Sequence, residues 1–243
     1  NAIVAMVLGA DADRVIHALR QIKSVLRNKV AEAALDLSDS MNMICRMAFP
    51  RASRVIVRFH LQRLALGAVR EIRIRHCRDA INTDTDAREN AKLEVCRYES
   101  LRLENGDTMK VLPAYALFRF PEKWIASLRQ RADMLFRLYP DLKEAYRLSQ
   151  NFRNIFNKRS TKDSDGLNLA RWYNRIADSG FKSFNTIAAI FYEHSDEILN
   201  FFDNRSTNAS AESINSKIKA FRVKLNGVND TKFLIFRLCN IYA

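Results

Sequence analysis

The segment VAEAALDLSDSMNMICRMAFPRASRVIV, residues 30–57, decides the predicted fold. Its apolar beginning, residues 30–37, predicts a strand, after which Ser38 or Asp39 can start a short helix. The Phe-Pro pair that follows stops this helix, because proline is not tolerated in a helix interior. Residues 53–57 then predict another strand. A strand–helix–strand order is typical of parallel strands that are joined by a right-handed crossover.

The sequence upstream of this segment extends the same alternation. Residues 2–8, AIVAMVL, predict a buried strand that ends at Gly9. Apolar side chains then recur at helical spacing, which predicts an amphipathic helix over residues 12–27. The fold class is therefore α/β, built on a parallel sheet.

The pattern changes to helices after the third predicted strand. A long helix is expected from Phe59 to about Ala80, and residues 82–110, with their Asn-Gly-Asp turn, are expected to form a loop or insertion. Further helices are predicted over residues 121–139, 140–157, 167–180, 184–202, 211–227 and 230–242. The α/β fold is thus expected to be dominated by helices.

Charge is the strongest signal in the composition. The chain has 40 Lys and Arg against 27 Asp and Glu, a formal net charge of +13. Such an excess creates a positive field that attracts polyanions, so DNA or RNA is the natural partner and an anionic membrane surface is the second candidate. A protein that is merely basic is the third interpretation.

The cysteines and apolar runs exclude several other classes. Cys45, Cys77, Cys96 and Cys239 are far apart, which argues against a zinc site or a dense disulfide framework. No apolar run has the length of a membrane span and no signal peptide is visible. We therefore expect a cytoplasmic protein with reduced thiols and no membrane partner.

The helix predicted over residues 211–225 has two different faces. Glu212, Asn215, Ser216 and Lys219 share one face, with Arg222 beside them, and an apolar stripe lies opposite. A carboxylate close to an amide, a hydroxyl and cations can hold a divalent metal while the cations hold phosphate. The alternative is ordinary, because a Glu in a first turn favours the helix dipole and can belong to a capping box.

Asp36 and His60 are the other candidate site residues. Asp36 ends an apolar strand, and the carboxyl edge of a parallel sheet is where the active sites of α/β folds gather. Its alternative role is that of a turn or N-cap residue. His60 lies at a strand-to-helix junction, where a structural role is the more common one.

Two quoted regions carry a resemblance to a known family. They are LDLSDSM with AFPRASRVIVRFHLQRLA, within residues 35–65, and FDNRSTNASAESINSKIKAFRVKLNGVNDTKFLIFRLCNIYA, residues 202–243. Both resemble bacterial insertion-sequence transposases of the ISL-three type, and the Bacteroidetes branch most closely. The resemblance implies a DDE catalytic domain of RNase-H-like fold. It further implies that residues 1–60 and 204–243 form the core and that residues 61–203 are an all-helical insertion.

The resemblance also assigns roles to the candidate site residues. The family's second catalytic Asp matches Asp36, its catalytic Glu matches Glu212, and its Asp-Arg-Phe-His motif matches Val57 to His60. Asp36 and Glu212 would then bind Mg²⁺ or Mn²⁺ in a two-metal site for phosphoryl transfer, with His60 as a further catalytic residue. The predicted DNA-binding residues are Arg58, Arg63, Asn215, Lys217, Lys219, Arg222 and Lys224.

Two departures from the family pattern shape the remaining expectations. Val57 stands where the family has Asp, so His60 lacks its acid partner. The family's first catalytic Asp would lie upstream of residue 1. We therefore expect a truncated copy, incomplete at its N-terminus, that does not catalyse transposition.

Three functions remain in competition after the sequence analysis. The first is a DNA transposase or its remnant. It would act on element ends and target DNA in the bacterial nucleoid, where it could form a homo-oligomer on DNA. The second is a non-catalytic, basic, helical nucleic-acid-binding protein. The third is a helical interaction protein. Salt-dependent DNA binding separates the third from the others, and metal-dependent nicking separates the first from the second.

Overall fold

The computed structural model describes residues 5, 7–9, 11–100, 102–108, 117, 121–205, 209–224 and 230–242. For residues 209–212, 224, 231, 239 and 242 it describes the backbone alone. These residues divide into two compact units, one formed by residues 1–60 with 194–243 and the other by residues 61–193.

The first unit contains the sheet and both ends of the chain. Its elements are α1 (Ala12–Arg20), α2 (Ser24–Arg27), β1 (Glu32–Leu35), α3 (Asp39–Ala48), β2 (Ser53–Ile56), and, towards the C-terminus, α9 (Ser195–Leu199), α10 (Phe201–Asn204), α11 (Ala209–Lys224) and α12 (Thr231–Tyr242). β1 and β2 pair in parallel, with Glu32 opposite Ser53 and Leu35 opposite Ile56. Within the described residues the fold is therefore helix-dominated with a small parallel sheet, as the α/β prediction requires.

The crossover helix α3 confirms the local sequence argument. It begins after Ser38 and ends at Phe49, directly before Pro50. Ile44, Cys45 and Ala48 are buried on one side of it. Helical spacing places these three residues together, and this apolar face packs α3 against α1 and β1.

The predicted first strand and first helix are only partly found. Most of residues 2–8 lie outside the described residues, and the described residues among them, Ala5, Val7 and Leu8, are in no strand. The helix predicted over residues 12–27 is interrupted between α1 and α2. The interruption includes Lys23, whose backbone is not helical at φ −51°, ψ 135°. Next to it, the Arg27 guanidinium donates to the carbonyls of Ile22 (3.0 Å) and Ala48 (2.6 Å).

The second unit is helical. It contains α4 (Arg58–Leu93, whose first three residues belong to the first unit), α5 (Ala126–Leu138), α6 (Pro140–Asn157), α7 (Lys162–Ser179) and α8 (Asn185–Glu193). Short 3-10 turns cover Pro121–Lys123 and Lys182–Phe184. The predicted helix over residues 140–157 is confirmed at both ends, and the one over residues 121–139 begins later, at Ala126.

The prediction of a loop from residue 82 onward is wrong as far as Leu93. α4 is a single helix of 36 residues, and its acidic side chains lie on an exposed helix instead of a loop. The chain that follows it folds back onto the helix: the Tyr98 hydroxyl donates to Asp84, and the Arg88 guanidinium lies 5.5 Å from the centre of the Tyr98 ring. The predicted turn around Gly106 is present, with Gly106 at φ +80°.

Two other helix predictions had wrong boundaries. α7 begins at Lys162 because Thr161 caps it, its hydroxyl accepting from the Ser164 N–H at 3.4 Å. The single helix predicted over residues 184–202 is three helices, α8, α9 and α10. The break before α10 lies at Asn200, whose side-chain amide donates to the Arg54 carbonyl at 3.1 Å.

The core of the second unit is built from aromatic rings. Trp172 on α7 is 2% exposed and lies 4.2 Å from the Phe152 ring and 5.6 Å from the Phe191 ring, centre to centre. Its indole N–H donates to the Leu148 carbonyl at 2.8 Å. The indole therefore combines a large buried apolar ring with a satisfied polar group.

Gly180 ends helix α7 with a left-handed backbone conformation. It follows α7 at φ +66°, ψ +10°, and a Cβ added to it would meet nothing within 4 Å. Gly180→Ala is therefore expected to lower the free energy of unfolding by about 1 kcal/mol, from backbone strain alone. Urea denaturation followed by circular dichroism measures this change.

Gly67 provides the matched control for that substitution. It lies inside α4 with ordinary helical angles, and a Cβ there would also meet nothing. Gly67→Ala should raise the free energy of unfolding by about 0.5–1 kcal/mol, since alanine favours a helix interior. Changes of opposite sign in the free energy of unfolding of the two variants would support the backbone explanation. If both substitutions lowered it, the space around the added Cβ would be limiting.

Candidate catalytic edge and basic helix

Asp36 lies directly after β1, at the carboxyl edge of the parallel sheet. It is exposed, and its Oδ1 accepts a hydrogen bond from the Ser38 N–H at 3.0 Å. Among the described residues, nothing hydrogen-bonds to its second oxygen. The carboxylate is thus oriented by the backbone and keeps one oxygen available, which fits either a capping role or a ligand role.

Val57 occupies the corresponding position after β2. Its N–H donates to the Leu35 carbonyl at 3.4 Å, so Val57 continues the parallel pairing next to Asp36. Its side chain is 2% exposed. A valine here contributes apolar burial at a position where the sequence resemblance expects an acid.

His60 lies on the first turn of α4 and is half-buried. Its N–H donates to the Val57 carbonyl at 3.2 Å, and its ring packs at 5.7 Å from that of Phe59. Within the described chain, the His60 ring has no hydrogen-bond partner. This agrees with the hydrocarbon side chain at Val57, which cannot accept from the imidazole.

A polar network joins the end of the chain to the sheet. The Arg54 guanidinium on β2 contacts Glu197 of α9 at 3.1 Å and Asn42 of α3 at 2.6 Å. Asn204 of α10 donates to Glu32 of β1 at 2.9 Å. Glu197 is 8% exposed, so its charge is stabilised chiefly by this pairing. Sequence analysis did not find this network, because its members are distant along the chain.

The same arginine also affects a buried thiol of this unit. Burial raises the pKa of Cys45 on α3, and the positive charge of Arg54 opposes that change only in part. Cys45 is therefore protonated near neutral pH and behaves as an apolar core residue.

The predicted basic helix is present as α11. Ile214, Ile218 and Phe221 are half-buried along one side, which is the predicted apolar stripe. The described polar side chains of the other sides are exposed: Ser213, Asn215, Ser216, Lys217, Lys219 and Arg222. α11 therefore offers cations and hydroxyls to solvent on a helix whose apolar stripe is partly covered.

The remaining predicted site residues stand as follows. Arg63 on α4 is exposed, and Arg58 is half-buried with an interaction of its own. For Glu212 and Lys224 the structure describes the helical backbone but not the side chain. The predicted meeting of the Asp36 and Glu212 carboxylates therefore stays a prediction.

The described residues do not by themselves make a metal centre. They contain no group of three or more His, Cys, Asp or Glu side chains that could hold a metal ion. The Asp36 carboxylate offers a hard oxygen of the kind that Mg²⁺ or Mn²⁺ prefers, but it is not part of such a group.

The helices of the structure bear on whether the chain crosses a membrane. Over the residues that the structure describes, no helix has the length and apolar character needed to cross a bilayer. The features that remain are a parallel-sheet edge with an oriented carboxylate, a basic exposed helix, and a net charge of +13. Cations on an exposed helix and a positive net charge favour a polyanionic ligand.

Comparison with known families makes the assignment specific. A family model described as a transposase, of the DDE type and the ISL-three group, matches residues 1–238. The chain belongs to this family of insertion-sequence DNA transposases, which act in DNA transposition and recombination and use divalent metal ions. The family predicted from the quoted motifs is thus confirmed, while the Bacteroidetes branch and the truncation stay predictions. No curated protein and no solved structure matches the chain.

Proposed function

We propose that the first unit, residues 1–60 with 194–243, corresponds to the DNA-cutting core of this transposase family and has an RNase-H-like arrangement, in a copy that does not itself catalyse transposition. Two observations support the proposal: the family match across both parts of this unit, and the position of Asp36 at the carboxyl edge of a parallel pair. The helices of residues 61–193 are then an insertion in the core. This insertion ends at residue 193, ten residues before the end of the insertion predicted over residues 61–203.

The observation that carries the proposal is the position and exposure of the Asp36 carboxylate. Its carboxylate follows β1, is held by the Ser38 N–H, and keeps one oxygen exposed. We assign Asp36 and Glu212 as ligands of a divalent ion, Mg²⁺ or Mn²⁺, in a two-metal site of the kind that phosphoryl-transfer enzymes use. Such an ion would stabilise charge on the phosphoryl oxygens, and His60 would lie within the same edge of the core.

The DNA ligand is assigned to α11 and to the cations near the sheet edge. Lys219 and Arg222 are exposed and form no ion pair among the described residues. Asn215, Lys217, Lys224, Arg58 and Arg63 complete the proposed DNA-binding set. Because its substrate would be chromosomal DNA, we assign the protein to the cytoplasm, at the nucleoid. Because a mobile element has two ends, we expect a homo-oligomer on DNA.

Lys219→Ala combined with Arg222→Ala tests the DNA assignment. We expect the Kd for a 30-base-pair duplex to rise about tenfold near 0.1 M salt, to a similar extent for unrelated sequences. The slope of log Kd against log salt should fall by about 2, because each phosphate contact releases about 0.9 counterion. Fluorescence anisotropy across a salt series measures both quantities.

The control for this experiment removes the same charge elsewhere in the first unit. Arg20→Ala combined with Lys23→Ala deletes two cations around the turn between α1 and α2, and should leave the slope nearly unchanged. If both pairs act alike, the effect comes from net charge and not from α11. A wild-type chain whose affinity is insensitive to salt would contradict phosphate binding altogether.

A second candidate function is DNA binding without catalysis. Val57 favours it, since a buried valine stands where the resemblance expects an acid. The two candidates differ in metal binding: the core requires a specific Mn²⁺ site at Asp36, and the binding module does not. A chain that binds DNA but shows no Asp36-dependent metal affinity would establish the second candidate.

A further inference from the structure

A polar groove lies between α6 and α7 in the second unit. It has a volume of about 310 Å³. We name it the amide–cation groove, because three asparagines and three cations make up most of its lining. These residues are Asn151, Asn154, Lys158, Asn168, Arg171 and Arg175. Nothing in the proposed function above uses these residues.

The spacing of these residues fixes the shape of the groove. Asn151 and Asn154 are three residues apart on α6 and therefore share one face of that helix, and Lys158 directly follows its last residue. The facing helix is held in place by Trp172, whose indole N–H donates to the Leu148 carbonyl of α6 at 2.8 Å. The groove walls are thus two rigid helices packed on a buried aromatic core.

The side chains of the groove are unused within the molecule. Over the described residues, none of the six forms a side-chain hydrogen bond or an ion pair. Asp165 also lines the groove, but it is 1% exposed and accepts a hydrogen bond from the Ser160 hydroxyl. The exposed charge of the groove therefore comes from Lys158, Arg171 and Arg175.

A second groove in the same unit lacks this property. It follows α4 and is lined by Arg70, Arg75 and Arg78, but also by Glu71 and Asp79. Arg75 is further engaged by Asp141 at 3.2 Å. Its cations face acids of the same surface, so it is a weaker candidate for an anion and a useful comparison.

The depth of the side chains indicates the kind of ligand. Asn151 and Asn168 are half-buried, whereas Lys158, Arg171 and Arg175 are exposed at the rim. Cations at a rim with neutral amide donors below suit a repeating, multiply charged oxyanion more than a single small anion. The sugar–phosphate backbone of DNA has this form, and Arg, Lys and Asn side chains are among its usual contacts.

We propose that the amide–cation groove is a second DNA contact of this transposase, which holds the sugar–phosphate backbone of a duplex. The proposal rests on the proposed DNA-binding function, and it assigns a role to the helical unit outside the catalytic core. Arg171, Arg175 and Lys158 contact phosphates, and Asn151 and Asn168 donate to backbone oxygens beneath them.

The main test is Arg171→Gln combined with Arg175→Gln in the 243-residue chain. A fluorescein-labelled 30-base-pair duplex is the probe, and its Kd should rise about tenfold near 0.1 M salt. The slope of log Kd against log salt should fall by about 2. Arg70→Gln combined with Arg78→Gln removes equal charge from the α4 groove and should change the slope little.

The asparagines give a different expected signature. Asn151→Ala combined with Asn168→Ala should raise the Kd about threefold to tenfold while the salt slope stays the same, because no charge is removed. Circular dichroism at increasing temperature checks that each variant is folded. Retention of the fold is expected, since these side chains form no internal bonds.

Several outcomes would overturn the groove proposal, and they differ from failure of the α11 assignment. If Arg171 and Arg175 variants bind DNA like the wild type while Lys219 and Arg222 variants do not, the proposed function stands and the groove is not a DNA contact. Equal effects of the groove pair and the α4 pair would indicate net charge alone. If the Arg171 and Arg175 variant lost affinity for poly-glutamate as much as for DNA, the groove would be a site for an acidic protein. A wild-type chain that does not bind the duplex overturns both proposals.

Discussion

Replacing Trp172 with alanine is expected to destabilise the second unit by about 3–5 kcal/mol, the largest effect on stability among the substitutions considered. The indole is 2% exposed, and its loss leaves a cavity bounded by Phe152 and Phe191. The substitution also leaves the Leu148 carbonyl without the indole hydrogen bond. Urea denaturation, followed at 222 nm, should show the transition of the helical unit at much lower urea concentration.

Trp172→Phe separates packing from hydrogen bonding. It keeps an aromatic ring against Phe152 but removes the indole N–H, so a loss of about 1–2 kcal/mol is expected. Tyr192→Ala is the surface control, because that side chain is 84% exposed, and it should change stability by less than about 0.5 kcal/mol. If Trp172→Ala lowered the free energy of unfolding no more than Trp172→Phe, the ring at this position would not be packed in an aromatic core.

Replacing Asp36 with asparagine is expected to weaken Mn²⁺ binding by at least about tenfold. Partners outside the ligand shell of a metal are already worth about 10–100-fold in affinity, and Asp36 is proposed to be a ligand itself. Asparagine keeps the shape and can still accept from the Ser38 N–H, so the helix that follows should be retained. Isothermal titration of Mn²⁺ into the 243-residue chain measures the effect.

Asp39→Asn is the matched control for this prediction. Asp39 is an exposed carboxylate in the first turn of α3, close to Asp36 in sequence, and it should leave Mn²⁺ affinity nearly unchanged. Equal losses at both positions would show that the metal is attracted by general negative charge. In that case Asp36 would be only a turn residue, which is the alternative that its sequence position leaves open.

The elements predicted best are those whose ends are encoded locally. α3 has a Ser-Asp start and a Phe-Pro end, and α6 begins with Pro140, so short-range sterics determine their boundaries. The extension of α4 was missed because its acidic residues resembled a loop, whereas Tyr98 and Arg88 support an exposed helix there. The interpretation of acidity as a loop signal failed for that reason.

Long-range contacts account for the other differences. At the junction of α9 and α10, Asn200 donates to the Arg54 carbonyl, far away in the sequence, whereas the helical pattern alone predicted one continuous helix. The position of Asp36 after a strand was predictable from the apolar run before it. Its partners were not, because periodicity places a residue on its own element only and does not specify which elements meet.

The amide–cation groove illustrates the same limit. The spacing of Asn151, Asn154 and Lys158 is visible in the sequence, and so are the arginines of α7. Their convergence depends on the packing of two helices through Trp172 and Leu148. A polar stripe on one helix resembles an ordinary solvated face until the second helix is placed beside it.

The most direct test of the central claim is a crystal structure of the chain grown with Mn²⁺, with the metal located by anomalous scattering. The account predicts Mn²⁺ within about 2.0–2.2 Å of carboxylate oxygens of both Asp36 and Glu212, the distance expected for a hard divalent ion with oxygen ligands. Loss of that peak in Asp36→Asn would support the assignment. Carboxylates of Asp36 and Glu212 more than about 12 Å apart would contradict it, because the ions of a two-metal site lie only ~3.5–4 Å from each other.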